Sequence, residues 1–548
     1  MSLYFLAKNP DKQQKLFEEI HRYLPVKNQP VTSEILNNLK FLKACAKESM
    51  RPHPIHHNIC AILLKRHDAT LATTHTISKE WDSAKPYEDM PGPKPYPLIG
   101  NVWRFFPYIG DLTMDLQDQQ EYLHKKFGNI VKLSALPGRE NNMVMLFEPD
   151  EIEKVYRSEG PFPYRSAFRV LNYYRAFTRK DFFEGVRGTI VSQGAEWQQF
   201  RTKVNQPMLQ PRSTKMYVGP IDAVAQDFIN SYHTATVYIG LDTRMGCLDG
   251  RLDPDSEPQK MIEALQTMLE CLYKLDVRPS PWKIISTPSW RAFVKASDFF
   301  LEVALKYITQ ATERLKSLPP DSDRELTILE KVLARAKNPK TAVVMALDMM
   351  IAGVDTTSSA TVVALYFLAK NPDKQEKVFE EIHHYLPDKT QPVTSQTLEN
   401  LKYLKGCVKE SMRLRPIVIG HIRTTQKEMV LSNYRIPKGV DIFMPNFYLC
   451  QQEKYFSQAD KFIPERWLKS ENGEEPETKM THPFVYMPFS FGPRMCIGRR
   501  FAEMELETLI AKIIRNFHVE YNHGEMKFQS KIICTPVSPL NYKLVERD

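Results

Sequence analysis

The sequence predicts a large, mainly α fold with a smaller β portion. Apolar residues recur at helical spacing through ten long segments: 112–127, 193–210, 219–235, 258–274, 288–317, 325–336, 340–369, 371–385, 396–413 and 498–516. Extended patterns are confined to four short stretches, 129–134, 143–147, 429–436 and 440–443. Strands and helices do not alternate strictly, so a Rossmann-like doubly wound sheet is not expected. With 42% apolar and 25% charged residues, the 548-residue chain has globular proportions, which exclude wholesale disorder and fibrous classes.

Charge and cysteine usage narrow the class. Basic residues exceed acidic ones by 74 − 65 = 9. That excess is mild: it does not demand nucleic acid, while a localised basic face could recruit an acidic protein. Eight irregularly spaced cysteines are too few for a disulfide scaffold and indicate a reduced, intracellular protein. No segment reads as a membrane span; the longest apolar run near the start, Ile59–Leu64, is stopped by Lys65 and Arg66. Lys8, Lys12, Lys15, Glu18 and Glu19 rule out a secretory signal in the first thirty residues. Attachment to a membrane surface stays open.

The first element in chain order is a repeat. Residues 3–51 match 365–413 at an offset of 362, with 38 of 49 positions identical, LYFLAKNPDKQ and KESMR among them. That offset is far too long for a solenoid, whose period is about 20–50 residues. Residues 1–54 are read as a duplicated fragment of 363–416, a duplication remnant or mis-joined gene model rather than a docking segment with its own function. A piece of about 50 residues has little chance of building its own core, so its stripe of Leu16, Ile20, Leu39 and Leu42 would be exposed or improvised against the main body.

Residues 55–85 form a linker of different character. Across 49–79 there is one acid, Asp68, against Arg51, Lys65, Arg66 and Lys79, with five histidines. Few acids with bases and hydroxyls is the composition of an organelle transit peptide, and equally of an unstructured polar linker. Met90-Pro-Gly-Pro-Lys-Pro-Tyr-Pro-Leu-Ile-Gly100 follows as a stiff extended entrance to the main domain, 86–548.

The chemistry converges near the C-terminus. Phe489-Ser-Phe-Gly492-Pro-Arg494-Met-Cys496-Ile-Gly498-Arg499-Arg500 places one cysteine between glycines, just ahead of a helical segment. A helix N-terminus and nearby arginines lower a thiol pKa. The thiolate could be a nucleophile, a redox thiol or a metal ligand, although a lone cysteine is more often a buried small hydrophobe. No CxxC partner is present, which makes zinc and disulfide exchange poor fits. The glycines would admit something large and flat, and Phe489 could shield the sulfur.

This FxxGxRxCxG spacing resembles the haem-binding loop of the cytochrome P450 family, and its fixed positions are all present. The resemblance implies the P450 fold over roughly residues 86–548, with haem b as cofactor. Cys496 would be the axial thiolate ligand of haem iron and Arg494 would pair with a haem propionate. Phe489, Gly492 and Gly498 would form the rest of the loop against the cofactor. Ser490 stands where many relatives have glycine.

Other motifs follow in the order that the family requires. Ala352-Gly353-Val354-Asp355-Thr356 lies inside a long apolar helix. A buried acid–alcohol pair costs desolvation, and taken alone it reads as a cap or a kink at Gly353. The resemblance implies that Asp355 and Thr356 are catalytic, on the proton route to dioxygen. Glu410-Ser-Met-Arg413 sets opposite charges three apart, a pair worth only about 0.2–0.5 kcal/mol on a surface. By resemblance, Arg466 in Phe462-Ile-Pro464-Glu465-Arg466-Trp467 would close a buried Glu410–Arg413–Arg466 triad that locks the haem loop. Trp197-Gln-Gln-Phe-Arg201 alone is ordinary packing; by resemblance both Trp197 and Arg201 contact a propionate, as does Arg423. The duplicated fragment carries only Glu48 and Arg51 of these motifs, so Cys45 and Glu48 are no part of the site.

Tyr164-Arg165, Phe182-Phe183-Glu184-Gly185, Gln206–Pro211 and the Cys496–Arg500 stretch resemble the mitochondrial class, especially its insect members. That class implies electrons passing from NADPH through a reductase to an acidic iron–sulfur ferredoxin. The ferredoxin would dock on Lys405, Lys409, Arg499 and Arg500, which otherwise read as solvated surface. The expected activity is a haem-thiolate monooxygenase placing one atom of dioxygen into a lipophilic, steroid-like or xenobiotic substrate. Phe168–Phe177, Met349–Ala352 and Ile417–Ile422 would line the pocket. The expected location is the mitochondrion, at the inner membrane, with no transmembrane span and no nucleic-acid partner. Two other readings stand beside it: a non-oxygenating haem-thiolate isomerase or dehydratase, and a haem- or ligand-binding protein inactivated by the duplication.

Overall fold

The structure, a computed structural model, describes residues 10–23, 80–97, 99–106, 108, 110–134, 142–230, 253–319, 324–336, 338–470 and 472–547. The chain divides into two compact units, Met1–Ala84 and Lys85–Asp548. In the first unit, α1 (Pro10–Tyr23) buries Leu16 and exposes Phe17. Leu39, Leu42, Cys45, Glu48, Arg51 and most of the linker lie outside the described residues.

The second unit opens with α2 (Leu116–Phe127), β1 (Ile130–Leu133), β2 (Met143–Leu146) and α3 (Pro149–Ser158). After a run of short helices come α4 (Gly194–Leu209), α5 (Val218–Asn230), α6 (Glu257–Asp276), α7 (Pro288–Lys316) and α8 (Ile328–Arg335). Side-chain caps start several of these helices where the sequence turns from polar to periodic. Ser256 accepts from Gln259 N, Thr287 accepts from Trp290 N, and Thr327 forms a capping box with Glu330.

The centre is α9 (Lys340–Lys370), 31 residues long and buried on nearly every face over Thr341–Ile351 and Ser359–Leu365. It packs against α7, α8, α12 (Lys402–Leu414) and α13 (Arg499–Asn516). Apolar residues all round a helix mean burial on all sides. Contrary to the expectation that no segment reads as a span, α9 is long and apolar enough to cross a bilayer. Half of its most apolar stretch is enclosed by the fold, as in the central helix of a large core.

Two predicted elements divide. Segment 396–413 becomes α11 (Ser395–Asn400) and α12, with Leu401 between them. α10 (Pro372–Tyr385) precedes them, and Glu381 there accepts from the backbone N–H groups of Tyr403 and Leu404 at the start of α12. The stretch 429–436 becomes a hairpin of β4 (Met429–Leu431) and β5 (Tyr434–Ile436), because Ser432 and Asn433 both take positive φ, 46° and 65°.

The main sheet runs β1-β2-β6-β3, with β3 (His421–Thr424) antiparallel to β6 (Asp441–Met444) and β2 parallel to β6. Arg423 pairs with Ile442 in that register. β3 and the strands after α13, namely β7 (Phe517–Glu520), β8 (Phe528–Ser530), β9 (Cys534–Pro536) and β10 (Lys543–Glu546), carry no clear signal in the sequence. They are as short as β1, β2 and β6, but each holds at most two apolar residues where those hold three or four, so no apolar run marks them.

Candidate active site

The cysteine loop folds back on itself before α13. Cys496 N donates to Phe489 O at 3.0 Å and Met495 N to Gly492 O at 3.0 Å. Ser490 and Gly492 make the turn, with φ of 62° and 79°. Serine in the left-handed region is strained unless something holds it. Here the Ser490 hydroxyl shares a hydrogen bond with Tyr156 (3.1 Å) and accepts from Arg423 Nη2 (3.2 Å). Gly498 forms the N-terminal boundary of α13, where a Cβ would lie 3.9 Å from Cys496 Sγ.

Cys496 is accessible to solvent, yet burial pushes its thiol up in pKa. The Gly498 N–H, Arg201 and Arg165 pull the other way without prevailing. The expected lowering by helix terminus and arginines is thus corrected: desolvation of the thiolate outweighs those partners. The thiol is thus reachable by solvent while enough protein surrounds it to disfavour its charged form.

α9 shows a similar break. Buried through Ile351, it becomes exposed at Ala352 and half-buried from Gly353 to Thr356, then closes again from Ser359. Thr356 Oγ1 donates to Ala352 O at 2.6 Å, and Thr361 and Ser358 also bond back to carbonyls one turn earlier. The helix runs unbroken through Gly353, so this segment is neither a cap nor a stop. Burial alone raises the Asp355 carboxyl. Val354 packs on the same apolar core as Phe489 and Ile497 of the cysteine loop.

Four arginines gather at the loop. Arg494, buried, donates to Gln193 Oε1 (2.5 Å), Ser192 O (2.7 Å), Thr189 O and Pro163 O. Trp197 lies under it, with the guanidinium 4.9 Å from the indole centre. Arg201 Nη2 donates to Met495 O at 2.8 Å. Arg423 donates to Ser490 and Phe491 and meets the Glu159 carboxylate. Arg165 donates to Ile190 O at 2.8 Å. Burial, then mutual repulsion, lowers Arg494 to about 8 and Arg165 to about 10, while burial alone lowers Arg201 to about 10. The Nε groups of Arg165 and Arg201 are buried without a hydrogen-bond acceptor among the described residues. Buried cations in this excess call for anions. His421 beside them is held neutral, its pKa lowered to about 3 by burial and by Arg423 and Arg165.

Glu410, Arg413 and Arg466 form one fully buried network. Glu410 accepts from Arg413 Nε (3.0 Å) and Nη2 (2.8 Å), Arg466 Nε (3.1 Å), Ile463 N (3.1 Å) and Trp467 Nε1 (2.8 Å). Arg413 also donates to the carbonyls of Cys450, Ala459 and Lys461, tying α12 to the segment that leads into the cysteine loop.

The four basic residues near the loop differ in their freedom. Arg499 pairs with Glu503 at 2.9 Å and sits 5.5 Å from the Phe489 ring centre. Half-buried Lys405 lies 3.8 Å from Glu507, whose carboxyl burial raises to about 7. Lys409 lies over Trp467, and Arg500 is exposed.

Sequence reasoning missed several residues here. Asp348, one turn before Ala352, accepts from Arg175 Nη1 (2.7 Å), Thr189 N (2.6 Å) and Thr189 Oγ1 (3.0 Å). It thereby pins the short helices Tyr174–Thr178 and Gly188–Val191 to α9. A single acid in an otherwise apolar stretch was the available signal. Glu159 and Trp467 carried none, because only the tertiary fold sets their partners. Arg165 stood out only as a class marker.

A sequence model of the cytochrome P450 family matches residues 1–69 and 90–544. The chain is 38% identical over 509 residues to probable cytochrome P450 301a1, mitochondrial, of Drosophila melanogaster, covering 88% of this chain and 91% of that one. It is 35% identical to probable cytochrome P450 49a1 of the same species, over 94% and 93% of the two chains. It is also 35% identical to cytochrome P450 CYP12A2 of Musca domestica, over 87% and 94%. With a family match running almost the length of the main domain and relatives aligned nearly end to end, the chain belongs to the cytochrome P450 family of haem monooxygenases.

Proposed function

We propose that this monooxygenase is a ferredoxin-fed mitochondrial enzyme in which Cys496 holds haem iron and the arginine cluster holds its carboxylates. The observation that carries the reading is the convergence of Arg165, Arg201, Arg423 and Arg494 on the loop that carries the solvent-accessible Cys496. The donor set fits the group. Two buried guanidinium Nε groups lack acceptors, which propionates would supply, and a coordinated cation would reverse the high thiol pKa. Haem, when bound, supplies the activation of dioxygen and the transfer of one oxygen atom to substrate.

The chain's own residues do the rest. Trp197 backs Arg494, Arg201 ties the cysteine loop to α4, and Glu410 with its donors fixes the segment leading into that loop. Gly492 and Gly498 give the loop its turn and its junction with α13, and Phe489 covers it from the Arg499 side. Asp355 holds a proton to higher pH than a free carboxyl, and Thr356 sets a hydroxyl on the accessible stretch of α9, so the pair serves proton delivery. Phe168, Tyr173, Phe182 and Met349, apolar and only partly buried against the core, suit a lipophilic, steroid-like or xenobiotic substrate.

The mitochondrial assignment draws on the names of several relatives. The ferredoxin assignment draws on Lys409, Arg499 and Arg500, which are exposed, and on half-buried Lys405. Exposed Ile284 and Ile285, at 88% and 61%, favour contact with a membrane surface. Residues 1–54 hold no counterpart of the cysteine loop and take no part in haem binding.

The test is the reduced carbon-monoxide difference spectrum, with Cys496→Ser beside the wild type. A thiolate-type Soret band abolished by the substitution is expected. A histidine- or thiol-type spectrum, or a band that survives in the variant, would sink the ligand assignment. Product formation that needs NADPH, reductase and ferredoxin separates oxygenation from isomerisation.

A further inference from the structure

Glu159 ends α3, and its side chain is only 5% exposed. Arg423 of β3 meets its carboxylate directly, and Arg494 of the cysteine loop acts on it electrostatically. A Cβ on Gly492 would come within 3.3 Å of Oε2. Tyr156, on the same helix, gives its hydroxyl to Ser490 instead, and Arg165 lies close enough to Arg423 for the two cations to oppose each other. Beyond Arg423, neither Glu159 oxygen has a donor among the described residues. Asp348, the other acid near Arg165, is already held by Arg175.

Two guanidiniums, Arg423 and Arg494, therefore act on one carboxylate that is paired but under-solvated. Burial holds that carboxyl up at about 7 against the pull of Arg423 and Arg494. An electron arriving at a cofactor bound in this cluster removes one positive charge. It must then strengthen proton binding at a carboxylate coupled to the cluster, such as Glu159, and linkage makes the effect reciprocal.

We infer that Glu159 is the redox-linked acid of the site: it takes up one proton from solvent as one electron from the iron–sulfur donor reaches haem iron, and it steadies Arg423 as a counter-ion. This rests on the haem-thiolate reading above. Glu159 acts through the arginines, so it is a positioning residue and not a catalytic one.

The test is a redox titration of the full-length, haem-loaded protein between about pH 6 and 8.5, for wild type, Glu159→Gln and Glu159→Asp. The wild-type midpoint potential should fall as pH rises through about 7. A roughly tenfold change in proton affinity corresponds to about 59 mV between acid and alkaline limbs for one electron. Glu159→Gln should be flat at the acid-limb value, and Glu159→Asp should keep a pH dependence with a displaced midpoint. A flat wild type, or a Gln variant as pH-dependent as wild type, overturns the inference. Should the Gln variant lose haem, the Asp variant decides, and an undisplaced midpoint overturns it. The carbon-monoxide spectrum of each sample separates the two claims. With the thiolate band intact, a flat potential defeats this inference alone; without the band in wild type, the haem-thiolate reading fails and takes the inference with it.

Discussion

The indole N–H of Trp467 donates to Glu410 Oε2 at 2.8 Å, completing the set of donors around a carboxylate that has no exposed surface. Arg413 and Arg466 neutralise the charge, while Trp467 and the Ile463 N–H satisfy remaining lone pairs. A buried ion pair is stable only when its leftover valences are met in this way. Trp467→Phe keeps the ring and removes one donor, and should cost about 1–3 kcal/mol. Glu410→Gln leaves two buried cations short of a partner and should cost about 3–5 kcal/mol. Urea unfolding followed by tryptophan fluorescence would measure the second, and circular dichroism the first.

The Arg175–Asp348 pair predicts a similar loss on α9. Both side chains are buried, at 1% and 5% exposure, so Asp348→Asn strands a cation and should destabilise by about 3–5 kcal/mol. Replacing both residues by apolar ones of like size should recover most of it. Gly188→Ala should be harmful by a different route. Its φ is +89°, and the added Cβ would sit 2.5 Å from Asp348 Oδ2 and 2.7 Å from Val344 Cγ1. Thermal unfolding of the three variants tests the ordering.

Thr356→Ala removes the hydroxyl from the accessible stretch of α9 without disturbing the buried turns beside it. Substrate oxidation should fall on the order of 10²-fold, the usual worth of a positioned proton donor. Consumption of NADPH should fall much less, with the surplus appearing as hydrogen peroxide. An unchanged ratio of product to NADPH would speak against the role.

Glu507 gives a pH dependence of definite sign. Burial raises its carboxyl from 4.5 to about 7, with Lys405 and Lys409 opposing and Glu503 adding to the rise. A raised folded-state value means that the folded chain keeps a proton that the unfolded chain has lost. Its contribution to stability is therefore complete below pH 4.5, is lost as pH rises to about 7, and stays lost above that. Glu507→Gln should flatten the stability profile across this window and be the more stable form at pH 8. Chemical denaturation at a series of pH values would show it.

Long periodic elements were legible in the sequence because burial on one face, or on all faces as in α9, leaves a pattern over many residues. Strands such as β3 and β9, with one apolar residue each, leave none, and the break at Leu401 and the turn at Ser432-Asn433 hid inside continuous patterns. At the site, motif spacing singled out Cys496, Arg494, Glu410 and Arg413. It could not supply the balance of forces on the thiol, where enclosure outweighs Arg201 and Arg165. Nor could it supply Glu159, which sits at the end of a charged surface helix by sequence and inside an arginine cluster by fold.

The pairing of Arg499 with Glu503, and of Lys405 with Glu507, also sets the range over which this face can be felt. Side by side, each base and acid form a local dipole, and a dipole's field fades with distance faster than that of a lone charge. At 0.1 M salt, charges separated by more than about 10 Å are already largely screened. An acidic protein approaching here would meet little guidance until it was nearly in contact. Then its own carboxylates would have to displace the internal ones. Such a surface discriminates at the moment of docking more than it gathers partners from afar, and the association rate should depend on salt less steeply than four free cations would imply.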